Sequence, residues 1–284
     1  MTPPTPVSQL IRDHRDELSP AERRVADVVV ADPQFVAFGT VAELAARAGT
    51  SGASVLRLAS RLDLDGFTAL QEQVRTELTR HLHRAAERIH RPAADDLLGQ
   101  ATIRAVEQLQ GTLGAIRSED FQGAVALLAD DARQVFVLAS EASHGIGDQF
   151  AAELAMVRPG VDQVGGSPVA VHRALADLEP DAVVVALDLP RYDAWLLEAI
   201  TIVRERGAAV LALTDSQLSP LAVGARLVFV VDGAGVGPFD SHVSALALLE
   251  ALVAGVATAR RASAAEHLAR IEAAWVEAEV LRED

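Results

Sequence analysis

Residues 40–62, TVAELAARAGTSGASVLRLASRL, read as two short amphipathic helices with barely a turn between them. In the first, Val41 to Ala48, an apolar stripe of Val41, Leu44, Ala45 and Ala48 recurs at helical spacing, and Gly49 ends it. Ser51 can cap the second, whose inward positions are Val55, Leu58, Ala59 and Leu62. Its outward face then carries Ser51, Ser54, Arg57 and Arg61, with no acidic residue before Asp63. A helix with short polar groups at its start and arginines further along suits phosphate and base-edge contacts. A small bundle that only packs or dimerises is the alternative.

Outward from this stretch the helical pattern continues. LSPAERRVADVVVADP (18–33) opens a helix with Ser19 as N-cap, Pro20 in the first turn and Glu22 completing a capping box. Val25, Val28 and Val29 give that helix its apolar stripe, and Asp32-Pro33 ends it. Gly66 interrupts the chain, and Phe67 to Leu82 forms a further helix. Short helices with a tight glycine-containing turn match the helix-turn-helix pattern.

After residue 100 the pattern changes. β-Branched or apolar runs recur at Val135–Ala139, Val161–Val164, Ala182–Leu187, Ala208–Leu213 and Leu227–Val231, each separated by a helical or linking segment. Such alternation predicts a parallel sheet covered on both faces, with ligands at the carboxyl ends of its strands. Two helices close the sequence, about Asp240–Ala262 and Ser263–Val280, the second opened by a capping box of Ser263 and Glu266. Leu268, Ile271, Trp275 and Ala278 form a stripe on it that suits a second copy of the chain, or its own sheet.

The 284 residues carry a net charge of −15, unevenly spread. Residues 1–91 hold 12 of the 25 basic and 12 of the 40 acidic residues, leaving 13 and 28 for residues 92–284. A near-neutral N-terminal region is compatible with DNA, because only the face against the phosphates must be positive. Every basic residue is arginine. Zero cysteines exclude disulfides and thiolate metal sites. His81, His83 and His90 are not spaced as ligands on one helix face and read as solvated, so no metal or cofactor is expected. The start of the sequence has charged residues before any apolar run, and the stretch Ser244 to Ala259 carries Glu250 and is too short to span a bilayer. A cytoplasmic protein without a membrane partner is the expectation.

Leu18 to Leu78 resembles the N-terminal domain of RpiR-type bacterial transcriptional regulators, through LSPAERRVADVVVADP, TVAELAARAGTS, SVLRLASRLDLDGF and the TAL that follows. Residues 101–262 resemble the sugar isomerase (SIS) domain that follows it in that family, through RQVFVLASEAS, DAVVVALDLPRYDAWLLEAITIVRERGAAVLALTDSQLSPLA and ARLVFVV. The resemblance implies an all-α helix-turn-helix domain followed by an α/β domain with a parallel five-stranded SIS-type sheet and helices on both faces. It implies residues 1–80 for DNA binding, 81–100 as a helical linker, and 101–284 for effector binding and oligomerisation. The implied function is a ligand-responsive regulator of a sugar or related catabolic operon rather than an enzyme. Its partners would be double-stranded operator DNA, a sugar phosphate or related metabolite, and further copies of itself as a homodimer or homotetramer.

The ligand site departs from the family pattern. SIS domains often place Gly-x-Gly-x-Ser after the first strand, where this chain has Ala139 to Ser143 and keeps only the serine. Many carry Ser-x-Ser-Gly-x-Thr after the central strand, where this chain has Asp188-Leu189-Pro190-Arg191-Tyr192-Asp193. A cradle of hydroxyls has been lost, and Arg191 could replace it. Glu141, Asp188, Asp193 and Asp215 put negative charge on the same rim. The expected effector residues are Ser143, Arg191, Tyr192, Thr214, Ser216 and His242, with Thr214 and Ser216 open to ordinary turn chemistry for a helix near Ser219 and His242 to capping. An aldose–ketose isomerase is the alternative, with Glu141 and His144 or His242 as its acid–base groups. A degenerate domain that only oligomerises is a third reading.

Overall fold

The computed structural model describes residues 7–31, 33–80, 88–89 and 96–280. The chain divides into two compact units, residues 1–90 with 216–223, and residues 91–215 with 224–284. Most of the linker expected at 81–100, with His81, His83 and His90, lies outside the described residues.

The first unit is helical: α1 (Val7–Asp13), α2 (Pro20–Ala31), α3 (Pro33–Phe38), α4 (Val41–Arg47), α5 (Gly52–Arg61) and α6 (Gly66–Arg80). The capping box of α2 forms, with Ser19 N donating to Glu22 Oε2 at 2.9 Å and Glu22 N to Ser19 Oγ at 3.4 Å. A second box, unforeseen from sequence, opens α4 through Thr40 and Glu43. The end of α4 is set by Gly49 at φ 59°, where Thr50 N reaches Ala45 O and Gly49 N reaches Ala46 O. That paired closure of the last carbonyls needs a left-handed residue, which glycine supplies without a steric cost. Val55, Leu58, Ala59 and Leu62 turn inward with Val25, Val29, Leu44 and Leu70, forming one core. Between α1 and α2 lies a short 3₁₀ turn, and α1 and α3 carry no periodic signal long enough to read in advance.

The second unit holds five parallel strands, β1 (Val135–Ala139), β2 (Val161–Val164), β3 (Val183–Leu187), β4 (Ala209–Thr214) and β5 (Leu227–Val230), in the order β2-β1-β3-β4-β5. β1 and β3 are buried throughout, as a sheet covered on both faces requires. Helices α7 (Leu97–Ala115), α8 (Ser118–Ala129), α9 (His144–Val157), α10 (Pro168–Ala174), α11 (Ala194–Glu205), α12 (Val243–Ala259) and α13 (Arg261–Glu277) complete it. Val135, Val137, Val183, Val185, Leu211 and Leu213 join Leu128, Phe150, Leu154, Leu248 and Leu252 in a single cluster between sheet and helices.

Two expected caps are not made. Ser51 has N-cap backbone geometry, but its side chain caps nothing. Ser263 lies inside α13, which begins at Arg261, and its hydroxyl bonds back to Arg260 O at 3.1 Å. The preceding helix ends at Ala259, and the chain bends by 106° between it and α13. The helix expected near Ser219 is instead a run of turns, held by Ser216 Oγ accepting from Leu218 N and Ser219 Oγ accepting from Leu221 N. Among the described residues no single helix is long and apolar enough to cross a membrane.

Candidate nucleic-acid interface and effector cleft

Helix α5 presents Ser51, Arg57 and Arg61 to solvent, while Ser54 is buried at 3 % exposure. The expectation that Ser54 faces outward is therefore corrected: its hydroxyl is buried and engaged by Arg57. Three of the four residues form a chain. Ser51 Oγ lies 3.4 Å from Ser54 Oγ, and Arg57 Nη2 donates to Ser54 Oγ at 2.9 Å. Arg57 Nε also lies 3.4 Å from Glu22 Oε1, a carboxylate whose side chain is only 5 % exposed. The Ser19 backbone N–H holds Glu22 below the usual carboxylate range, and Arg61 and Arg57 add to this. Glu22 thus has two tasks, closing a capping box and steadying Arg57. Sequence reasoning found the first and missed the second, because α2 and α5 meet only in the fold.

In the strand order β2-β1-β3-β4-β5 the direction of winding reverses between β1 and β3, which opens a crevice at their carboxyl ends. The turn after β1 and the turn after β3 meet there, with Ser140 N bonded to Leu187 O at 3.0 Å and Glu141 N donating to Asp193 Oδ2 at 2.8 Å. Close approach of α9 to β1 needs a glycine, since a Cβ on Gly147 would lie 2.7 Å from that of Ala139.

The fold brings some of the expected effector residues together. Ser143 Oγ lies 3.2 Å from His242 Nε2, across 99 residues of sequence. Burial lowers the His242 pKa against the pull of Asp240, so the ring is neutral at neutral pH. His242 occupies the N-cap position of α12 without a side-chain capping bond. Tyr192 donates to Asp215 Oδ1 at 2.6 Å and Thr214 Oγ1 to the same oxygen at 3.2 Å, tying the turn after β3 to the end of β4. Thr214 is fully buried, so it supports the rim from beneath. Arg191 is exposed at φ 74°, a left-handed conformation that costs a side-chain-bearing residue about 1–2 kcal/mol. Ser216 is buried in its own turn, in the segment that groups with the first unit.

Asp188, expected on the rim, is instead 3 % exposed beneath it. Its Oδ2 accepts from Asp193 N at 2.8 Å. Burial pushes its carboxyl up to about 6, with the charge of Asp193 adding to the rise, against the hydrogen bond from the Asp193 backbone. The residues that hold the far wall were missed entirely. On α7, Arg104 Nη2 donates to both carboxylate oxygens of Asp232 at 2.6 and 2.8 Å, Thr112 accepts from Asp232 N, and Gln108 bridges Ala234 O and the Ser241 hydroxyl. They fasten the loop that leads to His242, and no motif in the sequence marks them.

A helix-turn-helix module joined in one chain to a parallel α/β module with a switch-point crevice defines the class. The helix-turn-helix domain of the rpiR family matches residues 5–81, and the SIS domain matches residues 128–255. The chain belongs to the RpiR-type family of helix-turn-helix and SIS proteins. It is 27 % identical over 278 residues to the HTH-type transcriptional regulator HexR of Pseudomonas aeruginosa, covering 94 % of each. It is 26 % identical over 273 residues to the bifunctional protein glk of Burkholderia pseudomallei, covering 92 % of this chain but spanning only 41 % of that relative's length. Among solved structures, the sugar isomerase domain of an RpiR transcription factor from Sphaerobacter thermophilus matches with TM-score 0.57 and 27 % identity, over 62 % of this chain and 99 % of that one.

Proposed function

We propose that this protein is a ligand-responsive DNA-binding transcriptional regulator of a sugar or related catabolic operon. The observation that carries the reading is the acid-free outward face of α5, where Arg57 and Arg61 stand exposed on a helix whose opposite side is locked into the core. Ser51, Arg57 and Arg61 contact the duplex, and Ser54 orients Arg57. Likeness to HexR supports the same reading.

The effector, a sugar or sugar-derived metabolite, binds in the β1/β3 crevice near Ser143, Arg191, Tyr192 and His242, with Thr214 behind them. It changes operator affinity only to the extent that it binds the DNA-competent and incompetent states differently. An isomerase would need a base and a polarising group converging on one sugar. Here Glu141 is exposed, His144 lies 3.3 Å from Asp148, and His242 is paired with Ser143, which favours a binding role.

An inverted-repeat operator calls for a homodimer or a dimer of dimers. Support for a second copy comes from α7, which leaves Leu98 84 % and Ile103 61 % exposed. The stripe on α13 contributes less, because Leu268, Ile271 and Trp275 are half-buried and His267 Nε2 reaches Ala155 O on α9 at 3.0 Å. Titration of fluorescent promoter fragments from the gene's own neighbourhood, with light scattering on the free protein, tests the proposal. Specific binding by a dimer or tetramer is expected. Failure to bind any fragment at low salt would remove it.

A further inference from the structure

The place where the crevice would hold an anion is already filled by the chain itself. Backbone N–H groups of a strand-to-helix turn, and the start of the helix beyond it, form a natural seat for a negatively charged group. In this chain the turn after β3 leads into α11, a helix of 12 residues whose N-cap is Asp193. The N–H of Asp193 donates to the Asp188 carboxylate at 2.8 Å. Across the crevice, the N–H that opens the turn after β1, that of Glu141, is taken by Asp193 Oδ2. The hydroxyls of Tyr192 and Thr214 are taken by Asp215. Three carboxylates therefore consume donors from both turns and from the end of β4.

A phosphate entering this crevice would find its seat occupied and would face like charge from Asp188, Asp193 and Asp215, with Glu141 on the rim. Arg191 offers one compensating cation, exposed at the outer edge. Hydroxyl groups meet the opposite situation. An ionised carboxylate offers about four acceptor positions, so Asp193, half-buried and bonded to Glu141 N through Oδ2, keeps capacity for hydroxyl donors. Ser143 and His242 add a donor–acceptor pair on the other side.

We infer that the crevice excludes phosphate and takes an uncharged, polyhydroxylated ligand, a free sugar or polyol, with Asp188 as the residue that sets this preference. The inference rests on the effector reading above and narrows its ligand class.

The test uses the full chain and its Asp188→Ser variant, which removes the carboxylate from the Asp193 N–H and puts a hydroxyl in its place. Inorganic phosphate, glucose 6-phosphate and a panel of free sugars and polyols are titrated at constant ionic strength above neutral pH, followed by calorimetry and thermal shift. The wild type should bind at least one free sugar or polyol and neither phosphate probe. Asp188→Ser should gain at least about tenfold in affinity for inorganic phosphate, a change of about 1.4 kcal/mol. Should the serine variant fail to fold, the isosteric Asp188→Asn, whose amide oxygen can still accept from Asp193 N, should show a smaller gain in the same direction. Glucose 6-phosphate binding by the wild type more tightly than glucose would overturn the inference, as would unchanged phosphate affinity in both variants. Phosphate gained by the variants while no free sugar or polyol binds the wild type would overturn the effector reading and leave Asp188 as the occupant of the seat.

Discussion

Arg57→Ala separates a residue that reads DNA from one that merely holds two helices together. In the free protein the guanidinium donates to Ser54 Oγ at 2.9 Å and lies 3.4 Å from Glu22 Oε1, with 58 % of the side chain exposed. A pair so open to solvent contributes at most about 1 kcal/mol. Glu22 is not abandoned when Arg57 is removed, because it keeps the Ser19 N–H at 2.9 Å and the field of Arg61. For a unit of this size, a loss of about 1 kcal/mol lowers Tm by roughly 4–8 °C at most. The effect on DNA should be larger. A bidentate contact to guanine accounts for about 1–3 kcal/mol of discrimination, roughly 5- to 150-fold in Kd at one base pair. Fluorescence anisotropy with operator and random duplexes across a salt series, beside a thermal melt, reads both quantities. Loss confined to the operator assigns Arg57 to a base. Equal loss on both duplexes, with the salt slope reduced by about 0.9, assigns it to a phosphate. Operator affinity unchanged from wild type would refute the assignment of α5 as the reading helix, and a Tm drop well beyond that range would make Arg57 structural.

The pH response of Asp188 and the burial of Arg158 give two further tests. Asp188 titrates at about 6 in the folded protein and near 3.8 when unfolded, so the folded state binds more protons between those values and its stability falls as pH rises through that window. Asp188→Asn, which does not titrate, should match wild type near pH 4 and exceed it above pH 6 by about 1–3 kcal/mol, measured by urea unfolding; a difference independent of pH would refute this. Arg158 is 1 % exposed and donates to the carbonyls of Leu128, Asp130, Arg133 and Pro159, closing the end of α8. Arg158→Ala should destabilise the second unit by about 3–5 kcal/mol, read as a lower urea midpoint, whereas a loss under about 1 kcal/mol would show that water replaces those bonds freely.

What the sequence determined by itself is local. The capping box of α2, the glycine stop of α4, the inward stripe of α5 and the five apolar runs of the sheet depend on residues within a few positions of each other, and each is found where its spacing puts it. The parallel sheet and its crevice follow from alternation of strands and helices. Direction and partnership were not legible. Whether Ser54 looks outward depends on the angle at which α5 meets α2, and its neighbour Arg57 finds Glu22 35 positions away in sequence. Ser263 was a plausible cap until the 106° bend placed the start of α13 ahead of it. Asp188 reads as a rim charge in any linear view, because burial of a carboxylate is decided by which backbone N–H groups surround it. Only the tertiary structure sets β1 beside β3, closes the two turns on each other, and thereby turns an acidic residue of the loop into the group that fills its anion seat.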